Sequence, residues 1–125
     1  MKPFIKNCLR TESALFNNPV DAEGKIYDME RLIHIQMGMQ TESSEFTDAL
    51  KKSIFYGKTL DVVNLREELG DLMWYMALAM DELGTDFSTE ADRVITKLKY
   101  RYPEKFTMDK AENRNLKEER KLLEK

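Results

Sequence analysis

The sequence predicts an all-α fold, with an N-terminal arm, long helical segments and a charged C-terminal tail. Three observations predict it. Apolar residues recur at helical spacing over two long stretches, only five Gly and three Pro occur in 125 residues, and 34% of the residues are charged. Such a chain suits a few long helices better than many short strands, which need frequent turns. The length and a hydrophobic content of 42% fit a single domain, 1–125, with its core at about 26–106 and the tail at 107–125.

Residues 2–16 carry a weak helical pattern in Phe4, Ile5, Leu9 and Leu15 that breaks at Asn17-Asn18-Pro19, and they are expected to form a short arm. From about 26 to 56, Leu32, Ile35, Met39, Phe46, Ala49, Leu50 and Ile54 fall within one arc at 100° per residue, so a long amphipathic helix is expected, with a candidate bend at Gly38. Gly57 ends it. Asp61 is an expected N-cap for a third helix that runs to residue 83 and stops at Gly84. Leu69, Leu72, Met73, Met76, Met80 and Leu83 form its stripe, yet Trp74 and Leu78 lie well off that stripe. A helix so apolar around its circumference is expected to sit centrally or at a subunit interface. Ser88 or Thr89 is the expected start of a fourth helix, which Pro103 terminates. The charged tail, with Leu116, Leu122 and Leu123, is expected either to dock on a partner subunit or to stay solvated.

Acidic residues exceed basic ones by three, and the 20 basic residues form no long run, so neither a nucleic-acid partner nor a membrane partner is expected. The single Cys8 can form no internal disulfide, and no apolar run suggests export or membrane insertion. A cytoplasmic location is the expectation.

Two carboxylate pairs carry the chemistry: Glu42-Ser43-Ser44-Glu45 on the second helix and Glu68-Leu69-Gly70-Asp71 on the third. Spacing i, i+3 places both members of a pair on one helix face, so two antiparallel helices can present four carboxylates to one point. Spacing alone is weak evidence, because 23 acidic residues in 125 produce about four such pairs by chance. Placement is more telling. Glu42 falls inside the apolar arc of its helix, Glu68 borders the arc of the third helix beside Leu65 and Leu72, and Asp71 is embedded in Leu69-Gly70-Asp71-Leu72-Met73-Trp74. Burying ionised carboxylates without compensation costs several kcal/mol each, and clustered ones repel. A hard cation such as Mg²⁺, which accepts oxygen ligands and joins carboxylates to phosphates, is one compensation. Salt bridges from Lys51, Lys52, Lys58 or Arg66 are the other.

The residues Thr41-Glu42-Ser43-Ser44-Glu45, Leu65-Arg66-Glu67-Glu68-Leu69-Gly70-Asp71 and Lys97-Leu98-Lys99-Tyr100-Arg101-Tyr102-Pro103-Glu104-Lys105-Phe106 stand in an order and spacing that resembles the MazG-like nucleotide pyrophosphohydrolases, a branch of the all-α NTP pyrophosphatase superfamily. The resemblance runs from about 31 to 106. It implies a four-helix-type bundle assembled as a homodimer or homotetramer. It also implies Mg²⁺, or Mn²⁺ in its place, at Glu42, Glu45, Glu68 and Asp71, and hydrolysis of an NTP or dNTP to a monophosphate and pyrophosphate. Lys97, Arg101 and Tyr102 match the motif after the third helix and are implied to contact the nucleotide.

The chain departs from the pattern twice. Thr41 stands where many members have a glutamate suited to polarising water, and Val94 stands three residues before Lys97 where many relatives have asparagine. Glu42 and Glu45 are therefore the candidate catalytic residues, either acting as base through a bound water. Lys58, at the turn between the acidic helices, is a further candidate phosphate contact or an ordinary solvated lysine. The competing reading is a non-catalytic helical interaction module whose acidic pairs are structural.

Overall fold

The computed structural model describes residues 2–124. Helix α1 spans Lys2–Leu9, after which the chain runs without regular structure to a small loop where Val20 and Ile26 form an isolated antiparallel bridge. Asp21 closes this loop by accepting from the backbone N–H of Lys25 at 2.8 Å and the hydroxyl of Tyr27 at 2.9 Å. With residues 20–27 so engaged, helix α2 (Met29–Tyr56) starts later than the apolar pattern suggested. Asp28 is its N-cap and accepts from the N–H of Arg31. Gly57 ends it in the left-handed region at φ 63°, where a side chain would be strained.

Helix α3 (Val62–Leu83) has the expected caps, Asp61 and Gly84. Helix α4 (Phe87–Arg101) starts two or three residues earlier than expected, because Asp86 rather than Ser88 or Thr89 is the N-cap. The Thr89 N–H and hydroxyl both donate to the Asp86 carboxylate, which stops Thr89 from acting as a cap itself. The helix ends at Arg101, before Pro103, since proline disfavours helical geometry in the residue preceding it. Two short helices, α5 (Met108–Glu112) and α6 (Leu116–Leu123), complete the chain.

Packing joins α2 to α3 and α4 to α6. The first pair is an antiparallel hairpin: Arg31 bonds Asp81 and Glu82, Gly38 faces Tyr75, and Glu42 meets Asp71, so positions climb on one helix as they fall on the other. The tail is fastened to its own chain rather than left free. Glu119 of α6 accepts from Arg101 Nε at 2.8 Å and Nη2 at 2.5 Å, and from Arg114 at 2.8 Å, tying the tail to α4 of its own chain.

A single chain does not enclose a core. Ile35 is the one buried large apolar side chain among the described residues, and Met73, Trp74 and Leu83 of α3 are each more than half exposed. The expectation that α3 is buried on most sides is thus not met within one chain, because a single hairpin partner covers only one of its faces. The helix pattern is right; the cover is missing.

Gly38 does not break α2. It allows the two helices to approach: a Cβ placed there would overlap the Tyr75 ring, which is held edge-on by His34 and Trp74 at centroid distances of 5.8 and 4.9 Å. Overpacking costs about 1–3 kcal/mol, more than the ~1 kcal/mol that alanine gains over glycine inside a helix. Gly38→Ala is therefore expected to lower stability. Gly70→Ala, whose Cβ would meet nothing within 4 Å, is expected to raise it, and urea denaturation of the two variants checks both signs.

Candidate metal centre

The antiparallel hairpin decides which carboxylates meet. One oxygen from each of Glu42, Glu68 and Asp71 lies within 4.8 Å of the others. Helix α2 contributes the first, and α3 contributes the other two from successive turns of one face. Glu68 is the one buried residue of α3, at 3% exposure, whereas Asp71 is exposed and Glu42 intermediate. Asn64, one turn before Glu68, donates from Nδ2 to Glu68 Oε1 at 2.6 Å and so fixes the orientation of that carboxylate.

The charge is not compensated by protein cations. Among the described residues no lysine or arginine forms an ion pair with any of the three. Of the candidate partners, Lys52 pairs with Asp48 at 2.7 Å and Lys51 lies over the Tyr56 ring. The Glu42 carboxyl is pushed above the usual range, first by burial, then by the negative charges of Glu45, Asp71 and Glu68, and by a hydrogen bond shared with Glu68. An all-oxygen, acidic donor set with no cationic neighbour suits a hard divalent cation. The donor chemistry fits Mg²⁺ or Mn²⁺.

Glu45 stands one turn further along α2, exposed; its charge acts on Glu42, but it lies outside the set of three. The Thr41 hydroxyl donates to the Gly38 carbonyl at 2.8 Å and lies 3.4 Å from Glu42 Oε1. Lys58 is exposed on the link between the acidic helices, and Lys97 is half-buried on α4. Arg101 is engaged by Glu119, and its positive charge is strengthened by that carboxylate. Tyr102 caps α4 and packs against Phe106 with ring centroids 5.3 Å apart. None of these four bonds to the three carboxylates within the chain.

Two residues escaped the sequence reading. Asn64 had a signal, its i, i+4 spacing to Glu68 on the predicted helix. Glu119 had none, since its partners lie 18 and five positions away across an irregular turn.

Residues 33–106 match the MazG nucleotide pyrophosphohydrolase domain. The chain belongs to that family. No curated protein and no solved structure is significantly similar to it. The matched segment holds most of α2, all of α3 and α4, and with them the three converging carboxylates, while α1, α5 and α6 lie outside it. A MazG domain marks the chain as a pyrophosphohydrolase-type enzyme from a metal-dependent family, and the acidic cluster is consistent with metal binding. No helix among the described residues is long and apolar enough to cross a membrane.

Proposed function

We propose that this MazG protein hydrolyses nucleoside or deoxynucleoside triphosphates to a monophosphate and pyrophosphate, as a cytoplasmic homodimer or homotetramer that uses Mg²⁺ or Mn²⁺. The observation that carries the reading is the convergence of Glu42, Glu68 and Asp71 with no protein cation among them. When bound, the cation neutralises charge on the phosphate oxygens and acidifies a neighbouring water. Glu42, Glu68 and Asp71 would hold it, with Glu45 completing the set from the next turn of α2. Asn64 keeps the Glu68 carboxylate oriented, which reduces the reorganisation needed when substrate binds. Glu42, whose proton affinity is already raised, and Glu45, exposed beside it, are the groups suited to take a proton from the attacking water in place of the glutamate absent at Thr41.

The test is a panel of nucleotides with Mg²⁺ and with Mn²⁺, scored for the two possible cleavages. Monophosphate plus pyrophosphate is expected. Release of diphosphate and phosphate would contradict the bond assignment, and no metal-dependent turnover of any nucleotide would favour a non-catalytic module.

The acidic site needs positive groups for its anionic substrate, and Lys58, Lys97, Arg101 and Tyr102 are proposed to supply contacts to phosphate or sugar. Lys97→Ala is expected to lower kcat/KM by about tenfold or more without altering helical content, as read by steady-state kinetics and circular dichroism. Arg101→Ala removes a proposed phosphate contact and the anchor of α6 together, so of these two cations of α4 Lys97 is the one that isolates the substrate effect.

A further inference from the structure

Between the C-terminal half of α3 and the start of α4 lies an open cleft of about 600 Å³ lined by Met76, Met80, Leu83, Thr89, Glu90 and Arg93. A shallower apolar patch with Phe87, Val94 and Ile95 adjoins it across Met80 and Glu90. Neither shares a residue with the set of Glu42, Glu68 and Asp71. Such a surface exposes apolar side chains that are normally covered.

The same chain carries an uncovered segment of the opposite character. No side chain of α1 is buried, and Phe4, Ile5 and Leu9 are exposed by half or more. On a helix, Phe4, Ile5, Cys8 and Leu9 share one face, and Lys2 and Lys6 flank it. Residues 2–10 contain Lys2, Lys6 and Arg10 and no acidic residue. The cleft is the electrostatic complement. Asp86 and Glu90 stand on its rim, Arg93 is held by Glu90 at 3.3 Å, and the last turn of α3, whose end opens into the cleft, has no basic residue against its carbonyl dipole.

We propose that the N-terminal arm of one copy seats its Phe4-Ile5-Leu9 face in the α3/α4 cleft of a second copy, with Lys2 and Lys6 directed to the acidic rim. This rests on the reading of the chain as a homo-oligomer and adds which surfaces assemble it. The arm covers Leu83, one of the apolar side chains of α3 that the hairpin leaves bare. Its positive charge suits this chain's own rim, where Asp86 adds to a Glu90 that Arg93 neutralises only in part.

The experiment mixes a tagged wild-type chain, whose one thiol is Cys8, with an untagged Cys8→Ser/Leu83→Cys chain, and oxidises the mixture after exchange. Light scattering of the same samples reports assembly independently. A disulfide-linked species with the mass of one tagged and one untagged chain is the expected result. Phe4→Asp/Leu9→Asp is expected to weaken self-association by about tenfold or more, because two apolar side chains lose their burial, with the circular dichroism of the chain unchanged. An oligomer that gives no mixed disulfide, or that associates equally well with the arm substituted, would overturn the arm's role while leaving the assembly intact. A monomer at all concentrations would overturn both. In a Leu83→Cys chain that keeps Cys8, a disulfide confined to single chains would assign the arm to its own cleft; in the mixture, binding to added anionic phospholipid vesicles in place of the mixed product would assign it to a membrane, and either result would overturn the proposal.

Discussion

Asp71→Asn is expected to reduce metal-dependent nucleotide hydrolysis by about a hundredfold or more while leaving the metal-free protein at least as stable as the wild type. The two effects share one cause. Glu42, Glu68 and Asp71 crowd within 4.8 Å with no ion pair from the described lysines and arginines, so in the absence of a cation each negative charge is a cost to its neighbours. Replacing one carboxylate by an amide of the same shape removes repulsion and a proposed metal ligand together. The raised position of Glu42 gives the same sign. A carboxyl whose affinity for protons is higher in the folded chain stabilises it fully at low pH and loses that contribution as pH rises through the folded value. The metal-free wild type should therefore melt lower as the carboxylates ionise, and Mg²⁺ should reverse the loss by binding only the folded form. Melting wild type and variant with Mg²⁺ and with chelator checks this. If Asp71 were a structural salt-bridge partner, the variant would melt lower in both conditions because a cation would be stranded.

Glu119→Gln is expected to release α6 and lower the melting temperature by several degrees. The Glu119 side chain is 4% exposed and that of Arg101 is 14% exposed, and the two make a bidentate pair to which Arg114 adds a third bond. An amide can keep part of this geometry but none of its charge, leaving two guanidiniums to face each other without an anion. Hydrogen bonds from Arg101 and then Arg114 hold the Glu119 carboxyl at about 2, well below its ordinary 4.5. A depressed folded pKa means that the contribution is fully present above about pH 4.5 and is lost as pH falls towards 2. In the wild type, protease cleavage within the tail should therefore rise over that acid window. In the variant, the tail should be cleaved readily at neutral pH, with little further change on acidification.

The sequence by itself determined the three long helices, α2 to α4, and most of their ends. Asp61 and Gly84 bound α3 because an aspartate can satisfy free N–H groups and a glycine can enter the left-handed region, both of them local properties of the chain. The family was legible for the same reason: carboxylate pairs at i, i+3 and the later Lys97 to Phe106 run are patterns along the chain. Asp86 was missed as a cap because Ser88 and Thr89 offer the same chemistry two and three residues later, and only the path of the backbone after Gly84 selects among them. Tertiary structure alone decided how the hairpin meets. Gly38 reads in sequence as a weak point of a helix, yet it is the place where Tyr75 comes close, and that approach sets the register bringing Glu42 to Glu68 and Asp71. Glu45 has the same spacing credentials as Glu42 but lies a turn along α2, outside the set of three. Arg101 likewise carries the family's motif in sequence, while its guanidinium is held by a glutamate from the tail. Periodicity records which face of a helix a residue occupies; what that face meets depends on a second element brought in from elsewhere in the chain, which no local pattern encodes.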